Sequence, residues 1–116
     1  MRESQLQDAI RLALGRVPGL DLARNNVGTA EIRGYRVAFG LGPGSADLIG
    51  HYRGRFVAVE IKTPVGRQSP EQRLYQQRIE RNGGIYQILR SVDEALAWAE
   101  SLPALHRTYL EAQLAG

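Results

Sequence analysis

The β-branched run from Arg55 to Lys62 closes on Glu60-Ile61-Lys62, so a strand-forming segment ends in two opposite charges two residues apart. Alternation along a strand puts Phe56, Ala58, Glu60 and Lys62 on one face and Val57, Val59 and Ile61 on the other. Lys62 is the only lysine in the chain; every other basic side chain is an arginine. A compact ammonium and a planar guanidinium are not equivalent in a catalytic site, so this exception marks the segment. Thirteen positions before Glu60 the glycine-led Gly44-Ser45-Ala46-Asp47 supplies a second carboxylate.

The segments around this run read as alternating elements. Leu6, Ile10, Ala13 and Leu14 at helical spacing predict a helix from Ser4 to Gly15, with Glu3, Gln7, Ile10 and Leu14 on one overlapping stripe. Ser4 with Gln7 is an alternative capping box, which leaves Glu3 just outside the first turn. Extended runs at Leu22 to Val27 and Glu31 to Phe39, separated by Gly28-Thr29, predict a hairpin. Asp47 opens a strand that turns at Arg53-Gly54 into Arg55 to Lys62. Ser69-Pro70 starts a helix that Gly83-Gly84 stops, with Ser as cap and Pro at the first position. Ile85 to Leu89 reads as a strand, Ser91 to Glu100 as a helix, and Pro103 as the start of a last helical piece. The resulting order, α-β-β-β-β-α-β-α, predicts an α/β fold with a mixed central sheet flanked by helices.

The chain of 116 residues is long enough for one core and short for two. Residues 1–102 form the predicted domain and 103–116 a helical extension. With no cysteine there is neither a disulfide framework nor a thiolate metal site. No apolar stretch approaches a membrane span, and the start lacks a signal-peptide core, so a soluble protein of the cytoplasm is expected. The formal charge of +3 is compatible with a polyanionic partner. Arg67, Arg73, Arg78 and Arg81 cluster after Lys62, a concentration that suits a phosphate backbone.

Asp47 and Glu60 are hard oxygen ligands that the Arg53-Gly54 turn can set side by side, as Mg²⁺ requires when it is held by one or two carboxylates plus phosphate oxygens. Lys62 lies one pleat from Glu60 on the same face, where an ammonium orients a water or offsets phosphate charge. Against this stands an ordinary surface strand with a common Glu-x-Lys. Gln72, Tyr75, Gln76 and Ile79 share one helix face, so two glutamines interrupt the buried stripe; they either reach the site or are solvated. Asn25-Asn26 either contacts substrate or ends a strand. His51 reads as structural. The glycines from 40 to 44 precede a strand and lack the lysine of a phosphate-binding loop.

The ordered set Glu3, Gly44-Ser45-Ala46-Asp47, Glu60-Ile61-Lys62 and Ser69 with Gln72 resembles the PD-(D/E)XK nuclease superfamily, and within it the virus-type replication-repair nuclease (VRR-NUC) domain, over about residues 2 to 95. Ala46 stands where the family has proline. The resemblance implies that Asp47, Glu60 and the main-chain carbonyl of Ile61 hold Mg²⁺ or Mn²⁺, with Glu3 completing or supporting the shell, Lys62 positioning the water and Gln72 assisting. It further implies a homodimer similar to Holliday junction resolvases, cutting junction- or flap-like DNA in phage or bacterial replication, repair or recombination. DNA contacts are expected from Ser45, Arg67, Ser69, Arg73, Gln76 and Arg78. An inert nucleic-acid-binding module with the same fold is the alternative.

Overall fold

The computed structural model describes residues 2–116. Helix α1 (Glu3–Leu14) buries Leu6, Ile10 and Leu14, whose spacing of four keeps them on one face. The Arg2 N–H donates to Gln5 Oε1 at 3.0 Å, so the helix begins one residue earlier than Ser4 and Glu3 lies inside its first turn. The proposed Ser4 cap is therefore not used. The remaining elements are β1 (Leu20–Arg24), β2 (Gly28–Ile32), β3 (Tyr35–Phe39), β4 (Leu48–Tyr52), β5 (Arg55–Ile61), α2 (Pro70–Arg81), β6 (Ile85–Leu89) and α3 (Val92–Ala115).

The fold is α/β, with a mixed four-stranded sheet in the order β1-β4-β5-β6 flanked by helices. β4 lies antiparallel to β1 and to β5, and β6 joins β5 in parallel. β5 thus has a neighbour on each side and a layer on each face. Val57, Val59 and Ile61 enter a core built with Leu6, Ile10, Trp98 and Leu102 of α1 and α3. Ala58 points the other way, into a smaller core with Ala46, Tyr75 and Tyr86 under α2. The two faces read from the sequence are the two faces of this sheet.

The segment before Asp47 holds three strands rather than the two expected. Leu20–Arg24 does not pair with the next run; it pairs with β4, Leu22 opposite Gly50. The reason is burial: only against β4 do Leu20 and Leu22 reach the main core. The hairpin forms instead between β2 and β3, a separate two-stranded sheet. Its turn is Arg33-Gly34, with φ of 52° and 83°, both positive as a two-residue type I′ turn requires. The β4–β5 turn at Arg53-Gly54 repeats this conformation.

Pro103 does not open a new helix, because α3 runs through it. Val92, Ala95, Trp98, Leu102, His106 and Tyr109 recur every three or four residues and form one stripe along the helix. Beyond the proline, the His106 ring meets Tyr52 edge-on at 5.7 Å, and the Arg55 guanidinium sits 3.9 Å from the Tyr109 ring centroid. These contacts hold the second half of the helix on the sheet and offset the one backbone bond that Pro103 cannot make. No described helix is long and apolar enough to cross a membrane.

A chain ending at Leu102 loses both aromatic contacts. It should be less stable by about 1–3 kcal/mol in urea unfolding. An unchanged midpoint would show that residues 103–116 are an independent extension.

Candidate active site

The β4–β5 register, with Leu48 opposite Val59, sets Asp47 beside Glu60. Asp47 Oδ2 accepts the Ile61 N–H at 2.7 Å, which fixes its carboxylate at the end of the central strand. Glu60 is only 3% exposed, and its Oε2 has no hydrogen-bond partner. Burial is the main cause that pushes the Glu60 carboxyl up to about 9, followed by its hydrogen bond to Asp47 and the charge of Asp47. Lys62 pulls the other way, and Glu3 adds a smaller upward push. At neutral pH the Glu60 carboxyl therefore keeps its proton.

Two facing carboxyl groups, one with an orphaned buried oxygen, fit a divalent cation. The ion would replace the Glu60 proton and satisfy the free lone pairs with hard oxygen chemistry. Among the described residues no three His, Cys, Asp or Glu side chains converge to hold a metal. Glu3, expected to complete the shell, is exposed on the first turn of α1 and reaches Glu60 only through its charge. Lys62 follows on the face of Glu60, half-buried, its N–H donating to the Leu89 carbonyl at 3.1 Å.

The helix glutamines are occupied locally. Ser69 Oγ accepts the Gln72 N–H at 3.1 Å, and Gln72 Oε1 accepts the Ser69 N–H at 2.8 Å. This is a reciprocal capping box, so the side-chain oxygen of Gln72 serves the helix start and not the carboxylate pair. Gln76 Oε1 accepts from Gln68 Nε2 at 2.8 Å, and the same amide donates to the Tyr86 hydroxyl at 3.2 Å. The Tyr86 hydroxyl is pushed up to about 12, chiefly by burial, with Glu60 and Asp47 adding to it. It stays neutral, on the same sheet face as Glu60.

Three side chains without a sequence motif position the loops. Asn25 Nδ2 donates to Ser45 Oγ at 2.8 Å and to the Ala46 carbonyl at 2.9 Å, while its N–H reaches the Asp47 carbonyl at 2.8 Å. Ser45 Oγ in turn donates to the Gly42 carbonyl at 2.7 Å, so Ser45 is tied into the loop rather than presented to a ligand. Arg90 Nη1 donates to the Thr63 and Gly66 carbonyls at 2.7 and 2.6 Å, holding the segment that follows Lys62. Gln68 is the third, through its bonds to Gln76 and Tyr86. Gly44 has φ of +85°, and a Cβ there would stand 2.8 Å from Glu71 Cβ, so only glycine lets α2 start this close to the Asp47 loop.

Asp47 opens into a cleft of about 550 Å³ that Gln7, Arg24, Asn25, Asn26 and Val27 also line. Arg67, Arg73, Arg78 and Arg81 are exposed, and none joins an ion pair among the described residues. His51 lies away from the site, exposed and 3.6 Å from Asp21 across the β1–β4 ladder. Neither the family models nor the curated proteins compared with this chain give a match.

Unfolded, Glu60 titrates near 4.5; folded, it keeps its proton to about 9. Between these values the folded chain binds more protons, so metal-free stability falls as pH rises through the window. Glu60→Gln, neutral throughout, should match the wild type at the acid end and exceed it by about 1–3 kcal/mol near pH 8 in urea unfolding with EDTA. Parallel curves would show that Glu60 is ionised in the folded protein.

Proposed function

We propose that this protein is a metal-dependent nuclease that hydrolyses DNA phosphodiester bonds, with Mg²⁺ or Mn²⁺ held by Asp47, Glu60 and the Ile61 carbonyl. The observation that carries the reading is the buried Glu60 carboxyl, with one oxygen unpartnered, against Asp47 at the mouth of a polar cleft. A protein gains nothing in stability from such a group, and a strongly shifted carboxyl beside a specific charge partner in a cleft marks a functional site. The bound cation supplies Lewis-acid charge to the phosphate and lowers the pKa of a water. Lys62 offers its ammonium to the attacking water or the phosphate oxygens, and Arg67, Arg73 and Arg78 take the flanking backbone. The resemblance to VRR-NUC domains extends the reading to a structure-selective endonuclease acting on junction- or flap-like DNA as a homodimer, in phage or bacterial replication, repair or recombination.

Labelled four-way junction, flap, duplex and single-stranded DNA, each with Mg²⁺, Mn²⁺ or EDTA, test the activity. Cuts should require metal and fall by a factor of about 10² or more in Lys62→Ala and in Asp47→Asn. Binding without cutting on every substrate would favour the inert nucleic-acid-binding module. For the basic strip, Arg73→Ala with Arg78→Ala should weaken binding and flatten the slope of log affinity against log salt by about 1–2. An unchanged slope removes these arginines from the interface.

A further inference from the structure

Among the described residues, the β2–β3 hairpin contributes none to either core. Its register places Ala30 opposite Val37 and Ile32 opposite Tyr35 on one face, and Glu31 opposite Arg36 on the other. Ile32 is 54% and Tyr35 75% exposed, and the two flank Arg33 at the turn. A two-stranded ribbon has no interior, so this apolar face can be covered only from outside.

Charge and continuity choose the cover. From Leu22 to Ala46 the chain carries Arg24, Arg33 and Arg36 against Glu31 alone, and none of the four joins an ion pair among the described residues. β2 departs from Asn25, Asn26 and Val27, which line the cleft with Asp47, and the chain after β3 returns to the loop that Asn25 binds. A polymer lying in the cleft meets the hairpin next. An exposed ring and a branched aliphatic chain beside guanidinium groups suit nucleic acid, where unstacked bases lie on the ring and phosphates meet the arginines. A second copy of the chain is less suited, because a two-fold contact would set like-charged tips together.

We propose that the hairpin is a second nucleic-acid contact, at which Tyr35 and Ile32 pack on bases freed from pairing while Arg33 meets the adjacent phosphate. The proposal rests on reading the Asp47 cleft as a phosphodiester site and adds to it a source of discrimination. An intact duplex offers the tip no open base; a gapped or branched one does.

The test is binding in EDTA, where cleavage plays no part. An intact DNA duplex and one with a short internal gap, carrying 2-aminopurine in the unpaired segment, are titrated by anisotropy with the full chain and with an Ile32→Ser/Tyr35→Ser variant. The wild type should prefer the gapped DNA by about tenfold and change the 2-aminopurine emission. The variant should bind both DNAs within about twofold, lose the emission change, and keep its intact-duplex affinity and thermal midpoint. Arg33→Asn, which suits a positive φ better than arginine, provides a second variant that should bind gapped DNA a few-fold more weakly. Equal losses on both DNAs, or none on either, overturn the proposal. So does a wild-type dimer that the double variant makes monomeric with the emission change intact, which assigns the face to a second copy. If Lys62-dependent cleavage persists while hairpin variants discriminate normally, only the hairpin proposal fails; no binding and no cleavage removes both readings.

Discussion

The burial of a carboxyl group on the central strand governs this structure. Glu60 is buried near the end of β5, where a lone ionised carboxylate would cost several kcal/mol of lost hydration. Burial first, and then the hydrogen bond and charge of Asp47, push the Glu60 carboxyl up so that it keeps its proton. The Ile61 N–H then holds Asp47 in place. Strand register, the tight Arg53-Gly54 turn and the loop before Asp47 all serve to keep these two groups together. Burial of Glu60 thus favours folding with its carboxyl protonated.

Most of the positioning is done by side chains that bind backbone. Asn25 fastens the Ala46 and Asp47 main chain from the end of β1, and Arg90 fastens Thr63 and Gly66 from the end of β6. The loops before Asp47 and after Lys62 are thus each tied from a strand end, so their geometry follows from the sheet. Gly44 completes the arrangement by letting the first turn of α2 pack against the Asp47 loop. Among the described residues the hairpin stands outside this network, with Ile32 and Tyr35 exposed and its roots at the cleft.

The legible parts of the site were those encoded at short range. The two-residue period of a strand put Glu60 and Lys62 on one face, and a glycine-led turn announced Asp47. Ser69 and Gln72 were legible too, but the same spacing serves a capping box and a catalytic helix, and the structure spends the Gln72 oxygen on the cap. Glu3 lay on the predicted inward stripe, yet at the first turn it remains exposed. Asn25 stood out only as a polar residue at a strand end and Arg90 not at all, because the main-chain carbonyls they bind lie 21 and 27 residues away and no residue pattern marks a backbone acceptor.

The sequence by itself determined the starts of α2 and α3, the turn positions at Arg53-Gly54 and Gly83-Gly84, and the two faces of β5. Each depends on side-chain period, on caps or on φ preference, which act within a few residues. Only the tertiary structure decided that Leu20–Arg24 joins β4, that α3 continues through Pro103, and that Glu60 is a protonated acid at neutral pH. Those outcomes depend on which distant surfaces exclude water, a property of the assembled layers rather than of any local segment.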